Sequence, residues 1–466
     1  MVLSMVSATL RIFKSSSASA DTTGISTDMD ETESAIEYRS YLIVGTAYAF
    51  HDEDEPTKGR IMVYSCNQDD SNDASSSTRA IRTVAELQVR GGVYSMCQFY
   101  DGKLLVTVNS KTQVCQMVDG GTGIVRLSMV GVGHHGHILS LFVKSRACKM
   151  LGEAADSTAP LPGSEEQKPK AEEEKLAIVG DLMRSISLVQ YYPQHETLEE
   201  VARDFNANWT TAVEMLTDDL YLGGENWNNL FVLRRNTKSQ SEEIRCRLDT
   251  VGEFHLGEMC NKFMSGSLVM PHSTSSASTA GVGRSGLRRA LASPTKNSAT
   301  DASKVAASPV GASAALRSRR PAVIVGSQTL FGTVDGTLGA ILGLNGPTSA
   351  FFATLERSME RVIKPVGNFS HQQFRAFNAE QRVHPSHGFV DGDLVESFLD
   401  LDRNTMELVV KQMNRDGGWE IDDSAFTAAG ASEKDTATPA SMEDDERPEL
   451  AVEDVLAVVE EMIMLH

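Results

Sequence analysis

One pattern repeats along most of the sequence and restricts the fold more than any other feature. Between residues 38 and 345, a short apolar run, a Gly or other small-residue turn and a second β-rich run recur several times. The paired runs are YLIVGTAYAF with GRIMVYSC, KLLVTVNS with TQVCQMV, LAIVGDLMRS with ISLVQYY, LYLGGENWN with NLFVLRR, and AVIVGSQTLFGTVDG with TLGAILGL. Such pairs predict β-hairpins. One four-stranded sheet cannot bury both of its faces, whereas several sheets around an axis bury them against each other, so the repeats predict a β-propeller.

The repeats and the polar segments between them divide the chain into domains. We expect a mainly β, WD40-like seven-bladed propeller, incomplete in this chain, over residues 38–346, and a small α-helical C-terminal domain over residues 347–466. Residues 1–37 are expected to be a disordered leader, because a weakly apolar start is followed by Ser-, Thr- and Asp-rich sequence. Insertions near residues 149–175 and 265–320 are too polar to offset the entropy of ordering them, so both are expected to be disordered.

After residue 346 the apolar period changes from two residues to about 3.6, which is typical of helices. Three stripes at this spacing predict three helices, with an acidic linker over residues 416–448 between the second and the third. The first helix should end before Pro365, and Asp402 is placed to cap the second. The stripes are Phe352, Leu355, Met359 and Val362; Met406, Val409, Val410 and Met413; and Val452, Val455, Leu456, Val459 and Ile463.

The formal net charge of −20 argues against the broad basic surface that non-specific nucleic-acid binding requires. Much of the acidity lies in residues 415–466, which carry fifteen Asp and Glu against three Lys and Arg. Residues 265–320 show the reverse, with eight Lys and Arg against Asp301 alone. This basic segment leaves room for a local contact with nucleic acid, although its Ser- and Ala-rich composition favours a solubilising loop.

The cysteines and the hydropathy pattern indicate where the protein works. The six cysteines show neither the CxxC spacing of a zinc site nor the density of a secreted disulfide scaffold, which favours a reducing, intracellular compartment. No run approaches the roughly 18 apolar residues that a membrane-spanning helix needs, so no membrane association is expected.

Few residues suggest chemistry. His134, His135 and His137 form the single histidine cluster and could hold a metal, but they lie in a Gly-rich turn with no Cys or carboxylate nearby in sequence. Asp391 begins a fragment of a calcium loop that is not completed, and a helix cap explains it better. No phosphate-binding glycine motif, nucleophile elbow or HExxH motif is present. We therefore predict that the protein is not an enzyme and holds no cofactor or metal.

Six separate blocks, in the same order along the chain, closely resemble the damaged-DNA-binding protein 1 family. They are GDLMRSISLVQYYP (180–193), ARDFNANWTTAVEML (202–216), YLGGENWNNLFVLRR (221–235), VGEFHLGEMCNKFMSGSLVM (251–270), LFGTVDGTLGAI (330–341) and GFVDGDLVESFLDL (388–401). Apart from the insertions, the resemblance runs from Tyr41 to His466. The related cleavage-and-polyadenylation specificity factor A family shares the F/Y-H-x-G-E and D-G-D-L elements, whereas GDLMRS and RDFNxNW resemble the damaged-DNA-binding branch.

The resemblance implies a non-enzymatic adaptor of three propellers and a C-terminal helical domain. In that family the middle propeller holds the cullin 4 scaffold, and the first and third form a clasp for helical motifs of substrate receptors. The positions that match the receptor-facing surface of the third propeller are Leu139, Leu141, Phe142, Leu182, Arg184, Trp209, Asn226, Met259, Asn261 and Val334. The apolar members would anchor a partner, and Arg184, Asn226 and Asn261 would satisfy backbone groups at a helix end. Propeller core or rim packing is the alternative for each.

Parts of the family pattern are missing. Lys262 stands where the family has an apolar residue, and residues 134–137 do not resemble their counterpart. No segment of this sequence matches the family's first two propellers or the first part of its third propeller. We therefore expect a truncated gene model, a stand-alone remnant, or another chain that supplies the rest.

The function implied by the resemblance is a role in DNA repair and protein ubiquitination, in the nucleus and also in the cytoplasm, with any nucleic-acid contact made through partners. The alternative is a nucleic-acid-binding or RNA-processing factor of the cleavage-and-polyadenylation A family. An enzyme built on a propeller scaffold ranks last, since no compact acid, base or metal set supports it.

Overall fold

A computed structural model of the chain describes residues 1–14, 38–65, 81–120, 124–146, 174–269, 325–380, 382–417 and 449–465. These residues fall into two units. The propeller unit comprises Met1–Gly266, Ser327–Leu342 and Pro365–Phe389, and the helical unit comprises Ser267–Gly326, Gly343–Lys364 and Val390–His466.

The propeller unit is built from antiparallel sheets, each made of strands that follow one another in sequence. Blade one holds β1 (Val2–Lys14), β2 (Tyr38–Ala47), β3 (Gly59–Ser65) and β4 (Arg82–Val89). Blade two holds β5 (Val93–Phe99), β6 (Lys103–Val108), β7 (Lys111–Asp119) and β8 (Val125–His135), and blade three holds β9 (Ser140–Ser145), β10 (Leu176–Asp181), β11 (Ile186–Tyr192) and β12 (Thr197–Arg203). Blade four holds β13 (Thr210–Met215), β14 (Leu220–Glu225), β15 (Asn229–Arg235) and β16 (Leu248–His255), and blade five holds β17 (Cys260–Ser265), β18 (Val325–Thr333) and β19 (Leu338–Leu344).

The first strand of each blade contacts the first strand of the next, in the order β1, β5, β9, β13 and β17. This arrangement places the first strands innermost and the later strands progressively outward, as in a propeller. The mainly β fold predicted from the repeats is therefore confirmed. The core lies between successive blades, because apolar clusters join blades one and two, two and three, three and four, and four and five.

Burial in β2 and β3 follows the two-residue period that the sequence predicts, whereas β6 and β10 are buried on both faces. In β2, Tyr41, Ile43 and Ala47 are buried and the residues between them are half-buried. Gly45 occupies the remaining inward position of this strand, and a Cβ there would lie 2.4 Å from Ser4 Oγ and 2.6 Å from Val93 Cγ1. Ser4 of β1 and Val93 of β5 approach this position of β2 so closely that only glycine fits.

The disordered leader predicted over residues 1–37 is wrong for its first part, since Val2–Lys14 forms β1, the innermost strand of blade one. Ala8 and Leu10 are fully buried, with Val6 and Ile12 packed against the same cluster. These four alternate residues give β1 one apolar face, but its partner β2 begins only at Tyr38. The remainder of the predicted leader lies outside the described residues.

Several short helices and one small hairpin complete the described structure. They are α1 (Glu242–Arg245), α2 (Gly346–Val362), α3 (His371–Phe374), α4 (Gly392–Glu396), α5 (Arg403–Asp416) and α6 (Val452–Ile463), with β20 (Phe377–Asn378) paired to β21 (Val383–His384). The three helices predicted from the stripes are confirmed as α2, α5 and α6. In the helical unit, α2 packs on α5 and α4, and α6 contacts α5.

The helix termini follow from capping chemistry. Asn345 Oδ1 accepts the Thr348 N–H at 3.0 Å to begin α2, and Asp402 Oδ2 accepts the Thr405 N–H at 3.2 Å to begin α5. Asp391 caps α4 as predicted. The stripe predicted for α6 is partly wrong, because Val458 and Met462 are buried there while Leu456 and Ile463 are only half-buried.

The helical domain predicted over residues 347–466 is wrong for Pro365–Phe389, which belongs to the propeller unit. The His255 N–H donates to the Arg375 carbonyl at 3.1 Å, and the Phe389 ring lies 5.4 Å from that of Phe254. The segment is polar and has no helical or two-residue stripe. Its attachment to blade four therefore depends on contacts that leave no local sequence pattern.

Most of the residues that the structure leaves undescribed connect neighbouring strands of the blades. Residues 15–37 join β1 to β2, 66–80 join β3 to β4, 121–123 lie between β7 and β8, 147–173 join β9 to β10, and 270–324 join β17 to β18. Apart from their ends, both predicted insertions and the acidic linker thus lie outside the described residues. Within the described part of the chain, no helix is long and apolar enough to cross a membrane.

Candidate protein-interaction face

One backbone hydrogen bond recurs at the same place in all five described blades. At the end of the second strand, an N–H donates to the carbonyl of the residue that precedes the first strand. The donor and acceptor residues are Ala47 and Met1 (2.9 Å), Asn109 and Gly92 (3.1 Å), Leu182 and Leu139 (2.9 Å), Asn226 and Trp209 (3.0 Å), and Val334 and Met259 (3.0 Å). The loops into the first strands and the turns after the second strands therefore lie at one end of the blades, here called the upper face.

The predicted receptor-facing residues lie at or beside the upper face of blades three to five. Six of them form three of the hydrogen-bonded pairs: Leu139 with Leu182, Trp209 with Asn226, and Met259 with Val334. Arg184 lies in the same turn as Leu182, while Leu141, Phe142 and Asn261 lie at the start of first strands.

These residues differ in how far solvent reaches them. Trp209 is 44% and Val334 57% exposed, and Arg184 and Asn261 are exposed as well. Leu139, Leu141, Leu182, Asn226 and Met259 are half-buried. Phe142 packs against the apolar cluster of blades three and four, so its main role is in the core.

A buried carboxylate holds the upper face of blade three in place. Asp181, at the end of β10, accepts the N–H groups of Ile138 (2.8 Å) and Leu139 (3.1 Å) on Oδ2 and the N–H of Met183 (3.1 Å) on Oδ1. Its side chain thus fixes the loop before β9 and the turn after β10 together. Leu139 and Leu182 are positioned by this bond set and by their own backbone pairing.

A second polar network positions Trp209 and Arg184. Asp204 Oδ2 accepts the Ser185 hydroxyl at 2.7 Å and the Asn208 side-chain amide at 3.3 Å, and the Ser185 N–H donates to the Asn208 carbonyl at 3.1 Å. Burial raises the pKa of the Asp204 carboxyl, and the hydrogen bond from Ser185 partly opposes that rise. The three residues tie the loop before Trp209 to the turn that carries Arg184.

Asn226 contributes an acceptor to the same surface. Its Oδ1 atom is buried and has no hydrogen-bond partner among the residues that the structure describes. An unsatisfied buried acceptor costs about 1–3 kcal/mol. In blade five, the Thr333 hydroxyl donates to Glu258 Oε2 at 2.6 Å, which links the residues that precede Met259 and Val334.

Sequence reasoning did not assign Trp227 and Phe205 to this surface. Trp227, 46% exposed, lies in the turn after β14, and Phe205, 58% exposed, lies in the loop between β12 and β13. Arg203 lies over the Phe205 ring at 4.6 Å. A signal was available for Trp227, which lies at the turn of the predicted hairpin LYLGGENWN with NLFVLRR, whereas no strand was predicted next to Phe205.

The histidine cluster is closer to a carboxylate than the sequence indicated. Glu200 Oε2 lies 3.6 Å from His134 Nε2 and 3.8 Å from His137 Nε2, so the fold supplies a carboxylate that is not nearby in sequence. Burial lowers the pKa of His134, and Glu200 only partly opposes this effect. Among the described residues, the group with three metal-ligating atoms within 4.8 Å of one another lies elsewhere, at Glu253, His384 and His387.

Lys262, which departs from the family pattern, belongs to a charged cluster on the innermost strands. Lys144 of β9 donates to Glu214 Oε2 of β13 at 2.7 Å and to the Phe263 carbonyl of β17 at 3.4 Å. Burial and the charge of Lys144 lower the pKa of Lys262, while Glu214 raises it. The cluster links three neighbouring blades along the axis.

Comparison with known proteins agrees with this architecture. The family described as the CPSF A subunit region matches residues 13–400. DNA damage-binding protein 1a and 1b of Arabidopsis thaliana are 38% and 37% identical over 376 residues, which is 80% of this chain and 27% of each relative. DNA damage-binding protein 1 of Solanum lycopersicum is 36% identical over 374 residues, again 80% of this chain and 27% of the relative. The chain thus spans about a quarter of the length of the curated relatives that it matches.

Proposed function

Because this chain belongs to the CPSF A subunit family, we propose that it is a non-enzymatic adaptor whose upper face binds a helical segment of a partner protein. The observation that carries the proposal is the exposure of Phe205, Trp209, Trp227 and Val334 on loops and turns at one end of neighbouring blades. Grouped, exposed apolar side chains with polar neighbours are typical of protein-binding surfaces, and Trp is prominent among the residues that anchor them.

The polar residues of the upper face suit the end of a helix. The first N–H groups and the last carbonyl groups of a helix have no partner within it. Asn226 Oδ1 can accept one such N–H, since no described residue donates to it. Arg184 is exposed and can donate to terminal carbonyls. A helix that enters with its N-terminus would supply a donor to the Asn226 side-chain oxygen, and one that enters with its C-terminus would place its free carbonyls near Arg184.

The partners we propose are helical motifs of substrate receptors of the cullin 4 ubiquitin ligase. The relatives are named DNA damage-binding proteins, which supports a role in the DNA-damage response and a nuclear location.

Fluorescence anisotropy of a labelled helical receptor peptide tests the proposed face. The test variant is Trp209→Ala with Arg184→Glu. We expect its affinity to fall by roughly thirtyfold or more, because one central anchor residue typically contributes about 2 kcal/mol or more. The matched control is Ile244→Ala with Arg245→Glu in α1, which makes the same chemical change at exposed residues on the opposite end of blade four.

Equal affinity in the test variant and the control would refute the proposed face. A labelled DNA or RNA duplex run beside the peptide addresses the alternative function. If the protein binds the duplex with an affinity that falls steeply with salt, and does not bind the peptide, the nucleic-acid-binding alternative is favoured over the adaptor.

A further inference from the structure

Three side chains with metal-ligating atoms meet where Pro365–Phe389 lies against blade four. Glu253, in β16, is 3% exposed. Its Oε2 atom lies 2.9 Å from His384 Nδ1 and 3.9 Å from His387 Nδ1, and the three atoms all lie within 4.8 Å of one another. None of the three residues belongs to the upper face.

Backbone pairing holds these residues in place. Glu253 and His387 lie opposite each other, with reciprocal N–H to carbonyl bonds of 2.8 and 3.0 Å. His384 pairs with Phe377 across the β20–β21 hairpin, and its imidazole stacks on the Phe377 ring at 5.1 Å with the planes nearly parallel. The positions of the three ligand atoms are thus set by the pairing of Glu253 with His387, the β20–β21 hairpin, and the contact between the His384 and Phe377 rings.

The two oxygens of the Glu253 carboxylate have different neighbours. Oε1 accepts from Arg382 Nη1 at 3.4 Å, whereas Oε2 lies beside the two imidazoles. Arg382 is itself held, since its Nη2 donates to Asn208 Oδ1 at 2.5 Å. A ligating carboxylate commonly has one oxygen on the metal and the other on an outer hydrogen-bond donor, which orients it.

We propose that Glu253, His384 and His387 bind one divalent transition-metal ion, with Zn²⁺ as the ion of best chemical fit. Two imidazole nitrogens and one carboxylate oxygen are a common zinc ligand set. Ligands at about 2.0–2.1 Å in tetrahedral geometry lie roughly 3.3 Å apart, and the separations of 2.9 and 3.9 Å lie on either side of that value. Both imidazoles are partly exposed, so water takes the fourth position.

Metal binding at this site would fasten Pro365–Phe389 to blade four. The β20–β21 hairpin contributes one ligand, the residues after it a second, and β16 the third. Because Arg382 also contacts Asn208, the residue before Trp209, the fastened segment lies next to a loop of the upper face. The metal would therefore stabilise the propeller unit without belonging to the surface that binds the partner.

Competition between the full chain and a chromophoric chelator for Zn²⁺ tests the proposal, with the purification tag removed. We expect one tightly bound equivalent in the wild type. Loss of a residue that hydrogen-bonds to a metal ligand already weakens metal binding by about 10–100-fold. Loss of a ligand itself, in His384→Ala, His387→Ala or Glu253→Gln, should therefore weaken binding by at least about 100-fold. His195→Ala, which removes an exposed histidine of blade three, is the matched control and should bind as the wild type does.

The two His→Ala variants keep the test informative if Glu253→Gln misfolds, because His384 and His387 are partly exposed. Thermal unfolding is the second measurement, and Zn²⁺ should raise the melting temperature of the wild type and of His195→Ala but not of His384→Ala. An absence of a tight Zn²⁺ equivalent in the wild type, or equal affinity in His384→Ala and His195→Ala, would overturn the proposal. Glu253 would then be only the carboxylate of an ion-pair cluster.

Discussion

Replacement of Asp181 by Ala should destabilise the propeller unit, because three backbone N–H groups lose one shared acceptor. Each N–H that stays buried without a partner costs about 1–3 kcal/mol. Ile138 is exposed, so its N–H can form a hydrogen bond with water instead. Leu139 and Met183 are half-buried, so their N–H groups regain less hydrogen bonding from water. We therefore expect the free energy of unfolding to fall by about 2–4 kcal/mol. Asp181→Asn keeps one carbonyl oxygen and should lose about 1–2 kcal/mol.

Guanidinium denaturation followed by tryptophan fluorescence measures this loss. Trp419→Phe is introduced into every protein compared, so that the signal comes from Trp209 and Trp227 of blade four. The matched control is Asp335→Ala, an exposed carboxylate in the turn after β18, which should change stability by less than about 0.5 kcal/mol. A loss below about 1 kcal/mol for Asp181→Ala would refute the view that this carboxylate organises the upper face.

Three further predictions concern other parts of the propeller unit. Burial raises the pKa of Cys115 to about 12, so iodoacetamide at pH 8 should label exposed Cys246 quickly and Cys115 only after unfolding, as peptide mass spectrometry would show. Burial raises the pKa of Asp204 above its usual 3.8. The contribution of Asp204 to stability is therefore full below pH 3.8 and is lost as the pH rises through the folded-state pKa. Over that pH range, the free energy of unfolding of the wild type should fall relative to that of Asp204→Asn. Gly131 has φ +58° and a Cβ there would lie 1.8 Å from the Glu196 carbonyl oxygen, so Gly131→Ala should cost at least about 2 kcal/mol in urea unfolding.

The elements that the sequence predicted well are those with a local periodic pattern. The strands around YLIVGTAYAF, LAIVGDLMRS and LYLGGENWN all occur, because a short, mainly apolar run next to a turn determines a strand. In β2 the alternation of apolar residues also determines the inward face, whereas β10 is buried on both faces. Helices α2 and α5 were predicted from their apolar stripes, α2 with its end before Pro365 and α5 with its Asp402 cap. In these segments, local propensity and tertiary packing require the same structure.

The elements that the sequence missed depend on partners far along the chain. The apolar alternation of β1 indicates a strand, but its partner β2 begins only at Tyr38, so no adjacent hairpin supports that assignment. The attachment of Pro365–Phe389 and the meeting of Glu253 with His384 and His387 depend on contacts across more than a hundred residues. Phe142 was assigned to the receptor-facing surface by resemblance, yet its ring packs against the core, which depends on the neighbouring blade.

The undescribed connections between strands of the blades all begin and end at the end opposite to the upper face. This position affects how readily such a chain can gain insertions during evolution. Each of the three long ones, residues 15–37, 147–173 and 270–324, joins a first strand to a second strand, which places its anchor points at the end opposite to the upper face. The closure entropy of a loop grows only with the logarithm of its length, by about 0.6 kcal/mol per doubling. Insertions can therefore accumulate at the lower end with little effect on stability. Relatives should differ freely in length there, while the turns that carry Arg184, Asn226 and Val334 keep theirs.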